Sequence, residues 1–265
     1  MGEYVFTILG CGSSGGVPRL GGHWGDCDPS NPKNRRQRCS LLVERITDQG
    51  KTSVLIDTSP DLRNQLLNAD VGALDAVVYT HDHADHTHGI DDLRMIVFNM
   101  RKRLPIWADA TTQNTLRQRF GYTFEQVPGT LYKPILEMND MTGPVDITGD
   151  GGTITLSPFL VDHGPIKANG FRIDTLAYLP DVSAMNDVAW DMVRGLDMWI
   201  VDALRREPHP THSHLEQTLD WIEQAAPKQA ILTNMHNDLD YATICAETPD
   251  HITAAFDGMQ IRLPA

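Results

Sequence analysis

The stretch AVVYTHDHADH (Ala76–His86) carries more chemistry than any other part of this chain. Ala76–Thr80 is a short apolar and β-branched run, the pattern of a buried strand. It ends directly on His81, Asp82, His83, Asp85 and His86. His81 and His83 are two apart, so on extended backbone both rings face one side. Asp85 and His86 follow as the chain turns and face a neighbouring position. Imidazole and carboxylate together suit Zn, Mn or Fe, and two donor pairs with different directions imply two metals. A solvated His-rich loop is the plain alternative. A buried strand, however, delivers these groups into the protein, where unpaired polar atoms are costly.

Outward from this stretch, short strands alternate with helical patterns. Strands are expected at Val5–Leu9, Leu41–Glu44, Val54–Asp57, Ile154–Leu156, Phe171–Ile173, Leu176–Leu179, Met198–Val201, Ala230–Thr233 and Gln260–Leu263. Helices are expected at Asp61–Leu67, Thr112–Phe120, Ala184–Arg194, His214–Ala225 and Tyr241–Glu247. Gly10–Asn34 is a long Gly/Pro-rich loop, and Met138–Gly152 reads as turn-rich, either a lid or the contact of a homodimer. The mixture predicts layered α/β packing in one domain over residues 1–265. Polar residues recur at strand ends (Asp57, His81, Asp181, Asp202, His236), where sites are commonly built on a rigid scaffold.

The 22 basic and 35 acidic side chains leave a net charge of −13. Wrapping a nucleic-acid polymer takes many Lys and Arg, so that class of partner is not expected. Two basic clusters remain: Lys33, Arg35, Arg36 and Arg38, which could contact phosphate, and Arg101, Lys102 and Arg103, read as solvated surface. No run approaches the roughly 18 apolar residues of a spanning helix, and no signal peptide is recognisable at the start. The expectation is a cytoplasmic protein without a membrane partner. Cys11, Cys27, Cys39 and Cys245 are scattered without a CxxC pair, so neither a disulfide framework nor a four-thiolate zinc site is indicated.

The HxHxDH pattern after a buried strand, the upstream Leu55-Ile56-Asp57 and the Gly-rich first loop resemble the metallo-β-lactamase superfamily. That resemblance spans nearly the whole chain and implies a four-layer αββα sandwich. It also implies a further His, a bridging Asp and a last His, and the chain offers His163 in VDHG, Asp181 in YLPDVS and His236 in LTNMHND. By analogy His81, His83 and His163 hold one metal, Asp85, His86 and His236 the other, and Asp181 bridges. The cofactors implied are two divalent ions, Zn or Mn. Each later residue has a bland alternative: His163 in a turn, Asp181 capping a helix near Ala184, His236 on the surface. Asp57 could orient a ligand histidine or cap the next helix.

ILGCGSSGGVP, NPKNRRQRCSLLV and PTHSHLEQTL resemble the phosphoribosyl cyclic phosphate phosphodiesterase branch. The resemblance implies hydrolysis of a small phosphorylated substrate, a cyclic or ribosyl/nucleotide phosphate. It makes His212 and Asp85 catalytic: His212 on the phosphoryl or leaving oxygens, Asp85 as ligand and proton steerer. Ser213 and Glu216 fit a capping box, which would set His212 at a helix N-terminus, where anions are favoured. His209 and His214 are read as solvent-facing. Two features depart from the branch. Its closely spaced loop cysteines are reduced here to Cys27 with His23 nearby, so no closed structural zinc is expected. Its last ligand follows a Thr directly, whereas Thr233 is followed by Asn234 and the histidine comes two positions later. The expectation is that His236 ligates, with Asn234 or a water as the alternative.

Gly10, Gly12 and Gly15 fit GxGxxG, and Gly12–Gly16 fits GxSxG around Ser14. Both motifs need a helix to begin there. Val17-Pro18 followed by Gly21-Gly22 opposes one, so a tight loop is expected, with N–H groups able to hold a phosphate. Other functions fitting the superfamily are a thioesterase, a tRNA 3′-processing nuclease and a non-catalytic accessory protein of cofactor biosynthesis.

Overall fold

Two seven-stranded sheets carry the chain. The computed structural model describes residues 2–126 and 128–265. In chain order the elements are β1 (Glu3–Gly10), β2 (Ser40–Thr47), β3 (Gly50–Ile56), α1 (Leu62–Asn68), β4 (Ala76–Val78), α2 (Ala84–Thr87), α3 (Leu93–Met100), β5 (Leu104–Ala108), α4 (Ala110–Phe120), β6 (Leu136–Asp140) and β7 (Val145–Gly149). There follow β8 (Gly152–His163), β9 (Ile166–Ile173), β10 (Leu176–Leu179), α5 (Asp187–Met192), β11 (Met198–Asp202), α6 (Leu215–Ala225), β12 (Gln229–Thr233), α7 (Tyr241–Glu247), β13 (Ile252–Ala254) and β14 (Met259–Pro264).

The chain divides into two compact units. The first comprises Met1–Leu9, Ser40–Thr155 and Gln260–Ala265. Its sheet runs β14-β1-β2-β3-β4-β5-β6. β3 to β6 are parallel, with Ile56 opposite Val78 and Val78 opposite Trp107. One core packs Leu55, Val77 and Ile106 against Leu62, Leu93 and Leu116. The absence of alternation in AVV, buried throughout, follows from a parallel strand covered on both faces.

The second unit comprises Gly10–Cys39 and Leu156–Met259. The second sheet runs β13-β12-β11-β10-β9-β8-β7, and all but its β7 end lies here. β10 to β13 are parallel and in register: Leu179 opposite Val201, Val201 opposite Leu232, Asp202 opposite Thr233. The residues that follow these strands therefore emerge along one edge. The long loop 10–39 is held by Arg36, buried to 2% exposure. Its guanidinium donates to the carbonyls of His236 (3.1 Å) and Leu239 (2.7 Å). Asn34 donates to an Asp240 carboxylate oxygen at 2.6 Å and accepts from the Tyr241 N–H at 2.8 Å.

Several expectations are corrected. Met138–Gly152 is not a turn-rich lid: it holds the end of β6, all of β7 and the start of β8. Five further elements among the described residues were not expected, namely α2, α3, β5, β6 and β13, because Pro105 and short lengths break their patterns. The helix expected from Ala184 begins at Asp187, where the Asn186 side chain accepts from the Ala189 N–H. Ser213 and Glu216 form no capping box. The N-cap of α6 is His214, and Ser213 Oγ instead donates to the Asp202 carbonyl at 2.8 Å. β1 leads into a turn rather than a helix, so neither GxGxxG nor GxSxG has its required context. Three of the four residues of the first basic cluster have partners within the chain. Lys33 sits over the rings of Tyr241 and Phe256, Arg35 over Trp24, and Arg36 in the loop core.

Candidate metal centre

In the first unit, β4 delivers His81 and the following turn delivers the rest. The His81 ring lies 4.6 Å from that of His83 and 4.4 Å from that of His86, centroid to centroid. His81 and His86 are buried, whereas His83 is exposed. An Asp85 carboxylate oxygen lies 3.7 Å from His86 Nε2. Asp82 points away from the histidines, accepting from Thr115 Oγ1 of α4 at 2.7 Å.

Asp57, fully buried at the end of β3, organises this cluster. It accepts from the Thr80 N–H and from Thr80 Oγ1, both at 2.8 Å, and from His86 Nδ1 at 2.8 Å. With the Thr80 hydroxyl proton committed to Asp57, Thr80 Oγ1 accepts from His81 Nδ1 at 3.0 Å. Both imidazoles are thereby fixed as Nδ1–H tautomers with the lone pair on Nε2, which is the form a metal needs. Burial pushes the Asp57 carboxyl up, and His86 and Thr80 pull it back down. Of the two roles open to Asp57, orientation is the one observed, since the N-cap of α1 is Asp61.

In the second unit, strand ends supply the site. His163 closes β8, Asp181 follows β10, Asp202 closes β11, and Asn234 follows β12. Donor atoms of His163, Asp181 and His212 lie within 4.8 Å of one another, a grouping able to hold a cation. His163 Nδ1 donates to the Thr211 carbonyl at 2.6 Å, again placing the lone pair on Nε2. Gly164, at φ +60°, makes this possible, because a Cβ there would collide with the Thr211 side chain. The His212 ring lies 4.6 Å from the His163 ring. His212 Nδ1 donates to Asp202 at 2.9 Å and stands 3.2 Å from Asp181 Oδ1. Burial pushes the Asp202 carboxyl up to about 7, against the downward pull of His212.

His236 and Asn234 turn to different partners. His236 Nδ1 lies 3.2 Å from Asp238, and its Nε2 contacts the Arg19 guanidinium. Within its unit, His236 joins no cluster of three such donor residues. Asn234 is the residue the β12 turn sets against Asp181. His209 is not simply solvent-facing: it packs 5.3 Å from the His212 ring and is bonded to Thr211. Burial and the neighbouring His212 push its pKa down. Asp202 was visible in the sequence only as a polar strand end, while Thr80 and Thr211 carried no signal at all.

Residues 52–235 match the model of a β-lactamase superfamily domain. A crystal structure of a diphosphatase from the PhnP family is 35% identical, with a TM-score of 0.87, covering 99% of this chain and 98% of that one. The chain belongs to the metallo-β-lactamase superfamily. Within it, the likeness places the chain on the PhnP branch, and the fold is the four-layer α/β sandwich of this superfamily. Its class is that of metal-dependent hydrolases. Two curated relatives are similar over nearly the whole chain. An octanoyltransferase of Porphyromonas gingivalis is 33% identical over 96% of it, and the coenzyme PQQ synthesis protein B of Pseudomonas fluorescens 23% identical over 97%. The chain spans half the length of the first and 99% of the second. The donor set fits the divalent metals of this superfamily: the tautomers of His81, His86 and His163 present Nε2 lone pairs, and carboxylates accompany them in each unit. No helix among the described residues is long and apolar enough to cross a membrane.

Proposed function

We propose that this metallo-β-lactamase superfamily protein is a phosphodiesterase acting on a small cyclic or ribosyl/nucleotide phosphate. The observation that carries this reading is the His212–Asp202 pair packed against His163. His81, His83, Asp85 and His86 in the first unit, and His163 and Asp181 in the second, are the residues that would hold divalent ions. Bound there, such ions lower the pKa of water toward about 7 and neutralise phosphoryl oxygens.

The chain's own groups do the rest. Asp202 fixes His212 with Nδ1 inward, so Nε2 is the atom that meets substrate. Protonated, that nitrogen hydrogen-bonds a phosphoryl oxygen and passes its proton to the departing alkoxide. The Asp202 carboxylate stabilises the imidazolium before that proton leaves, as the carboxylate of a His–Asp pair does elsewhere. Asp85, partly exposed beside His86, accepts the proton released by the attacking water. With a net charge of −13, long polyanions are repelled, and a compact substrate is favoured.

Two further observations support the reading: the intact His/Asp clusters and the PhnP-family diphosphatase at 35% identity. The diphosphatase relative also makes a P–O–P bond the second substrate class to assay. The test is turnover of bis(p-nitrophenyl) phosphate and of a nucleoside diphosphate sugar by metal-loaded protein, wild type and His212→Ala. Diester turnover lost in the variant at unchanged metal content is expected. Metal-loaded wild type inert on both classes would overturn the proposal and favour an accessory role like that named for the PQQ relative.

A further inference from the structure

The side chain of Asn234 is 2% exposed and surrounded by groups that fix its orientation. Its Nδ2 lies 2.7 Å from Asp181 Oδ1 and 3.2 Å from Asp202 Oδ1. Its Oδ1 faces the Cys39 thiol at 3.9 Å. Two carboxylates on one side and a thiol on the other leave one assignment: the NH2 group points at the acids, the oxygen away. A carboxamide NH2 has two protons and no lone pair to give a metal. Position 234 therefore offers Asp181 a hydrogen-bond donor at the place where a lone-pair donor could stand beside that carboxylate.

We infer that Asn234 sets how tightly Asp181 would hold a metal, by supplying N–H groups there instead of a ligand. This rests on the reading of Asp181 as a ligand. One Asp181 oxygen is already engaged with a strong donor, which draws off electron density that a cation would use. The same amide ties Asp181 to Asp202, and through it to His212, so the three side chains form one rigid set within their unit. One ion of the pair is consequently held more weakly than the other.

Position 234 has φ +59°, a region in which Asn, Asp and His are all enriched, so substitutions that supply a ligand are compatible with the backbone. The experiment is zinc titration of chelator-stripped protein by calorimetry, with thermal melts of each apo form. Wild type is expected to bind two zinc ions with affinities at least tenfold apart. Asn234→Asp, equal in size, replaces the donor with an acceptor. Its apo form melts lower because three carboxylates meet, and its weaker zinc binds at least tenfold tighter. Asn234→His tightens the same ion, a gain that a merely structural role could not produce. Asn234→Ala, which removes the N–H donor and adds no ligand, tightens the weaker zinc by less than Asn234→Asp does and leaves the other within threefold of wild type. A tenfold loss in Asn234→Ala would overturn the inference by making the amide oxygen a ligand, as would unchanged affinity in folded Asn234→Asp. Asp181→Ala separates the two levels: if it leaves zinc binding unaltered, the ligand reading itself falls. If it weakens zinc while folded position-234 variants do not differ from wild type, only the present inference falls.

Discussion

The two histidine clusters are built by opposite routes. In the first unit His81, His83, Asp85 and His86 come from six consecutive residues at the end of one strand. The orientation of His81 and His86 depends on one carboxylate, Asp57, at the end of the adjacent parallel strand. In the second unit His163, Asp181, Asp202, His212 and Asn234 come from four strand ends and the connection before α6. That cluster exists only because β10, β11 and β12 run parallel and in register. A local cluster is specified by spacing and needs one support. A dispersed cluster is specified by sheet register and needs many, among them Thr211, Gly164 and the loop closed by Arg36.

This contrast can be broken at its most chemical point. His212→Ala is expected to reduce diester turnover by about 10³-fold, in the range of a lost acid–base group. Metal content by elemental analysis should stay at the wild-type value, whereas a loss of metal would make His212 a ligand. Next, Arg36→Met should destabilise the protein by about 3 kcal/mol in urea unfolding, since the His236 and Leu239 carbonyls would be left buried without donors. An effect below about 1 kcal/mol would show that the dispersed cluster does not depend on this support. For the local cluster, Asp57→Asn should weaken metal binding about 10–100-fold, as for other residues that orient metal ligands, with little change in the far-UV spectrum. If affinity holds, metal binding does not depend on the Asp57 carboxylate orienting His86.

The smallest effect concerns acid. Burial pushes Asp240 up, but N–H donors from Thr243 and Asp28 and the Asn34 amide outweigh it and bring the carboxyl to about 2, from an ordinary 3.8. A depressed pKa means the unfolded chain binds the proton more readily, so this contribution is fully present above pH 3.8 and is lost as pH falls through about 2. Asp240→Asn should remove that acid sensitivity in melts between pH 4 and 2 and lower stability at pH 7, where the contribution is fully present. An unaltered acid profile would place the acid-sensitive group elsewhere.

The same contrast explains what the sequence made legible. HDHADH after AVVYT exposes the first cluster because its spacing is its geometry. The strands β10, β11 and β12 were readable from apolar runs, and so Asp181 and Asp202 could be marked as strand ends. Which residue after Thr233 would turn inward was not readable. Imidazole chemistry favoured His236, but the left-handed turn at Asn234 directs that side chain to Asp181 and sends His236 to Asp238. Ser213 and Glu216 matched a capping box by spacing alone. Tertiary demand won, because the Asp202 carbonyl at the end of β11 takes the Ser213 hydroxyl. β5 and β6 were hidden because Pro105 and alternating polar residues in Leu136–Asp140 dilute the strand signal.

Loop 10–39 is stapled by a guanidinium, an amide and a carboxylate, while the thiol beside that staple, Cys27, is itself engaged. Cys27 Sγ faces the Leu239 carbonyl at 3.6 Å, and burial pushes its pKa up. None of these groups exchanges with chelators or oxidants at neutral pH. Folding and metalation are thus separable events in the second unit. A calorimetric zinc isotherm then measures coordination free of refolding enthalpy, and a metal-stripped preparation serves as a valid reference state rather than a denatured one.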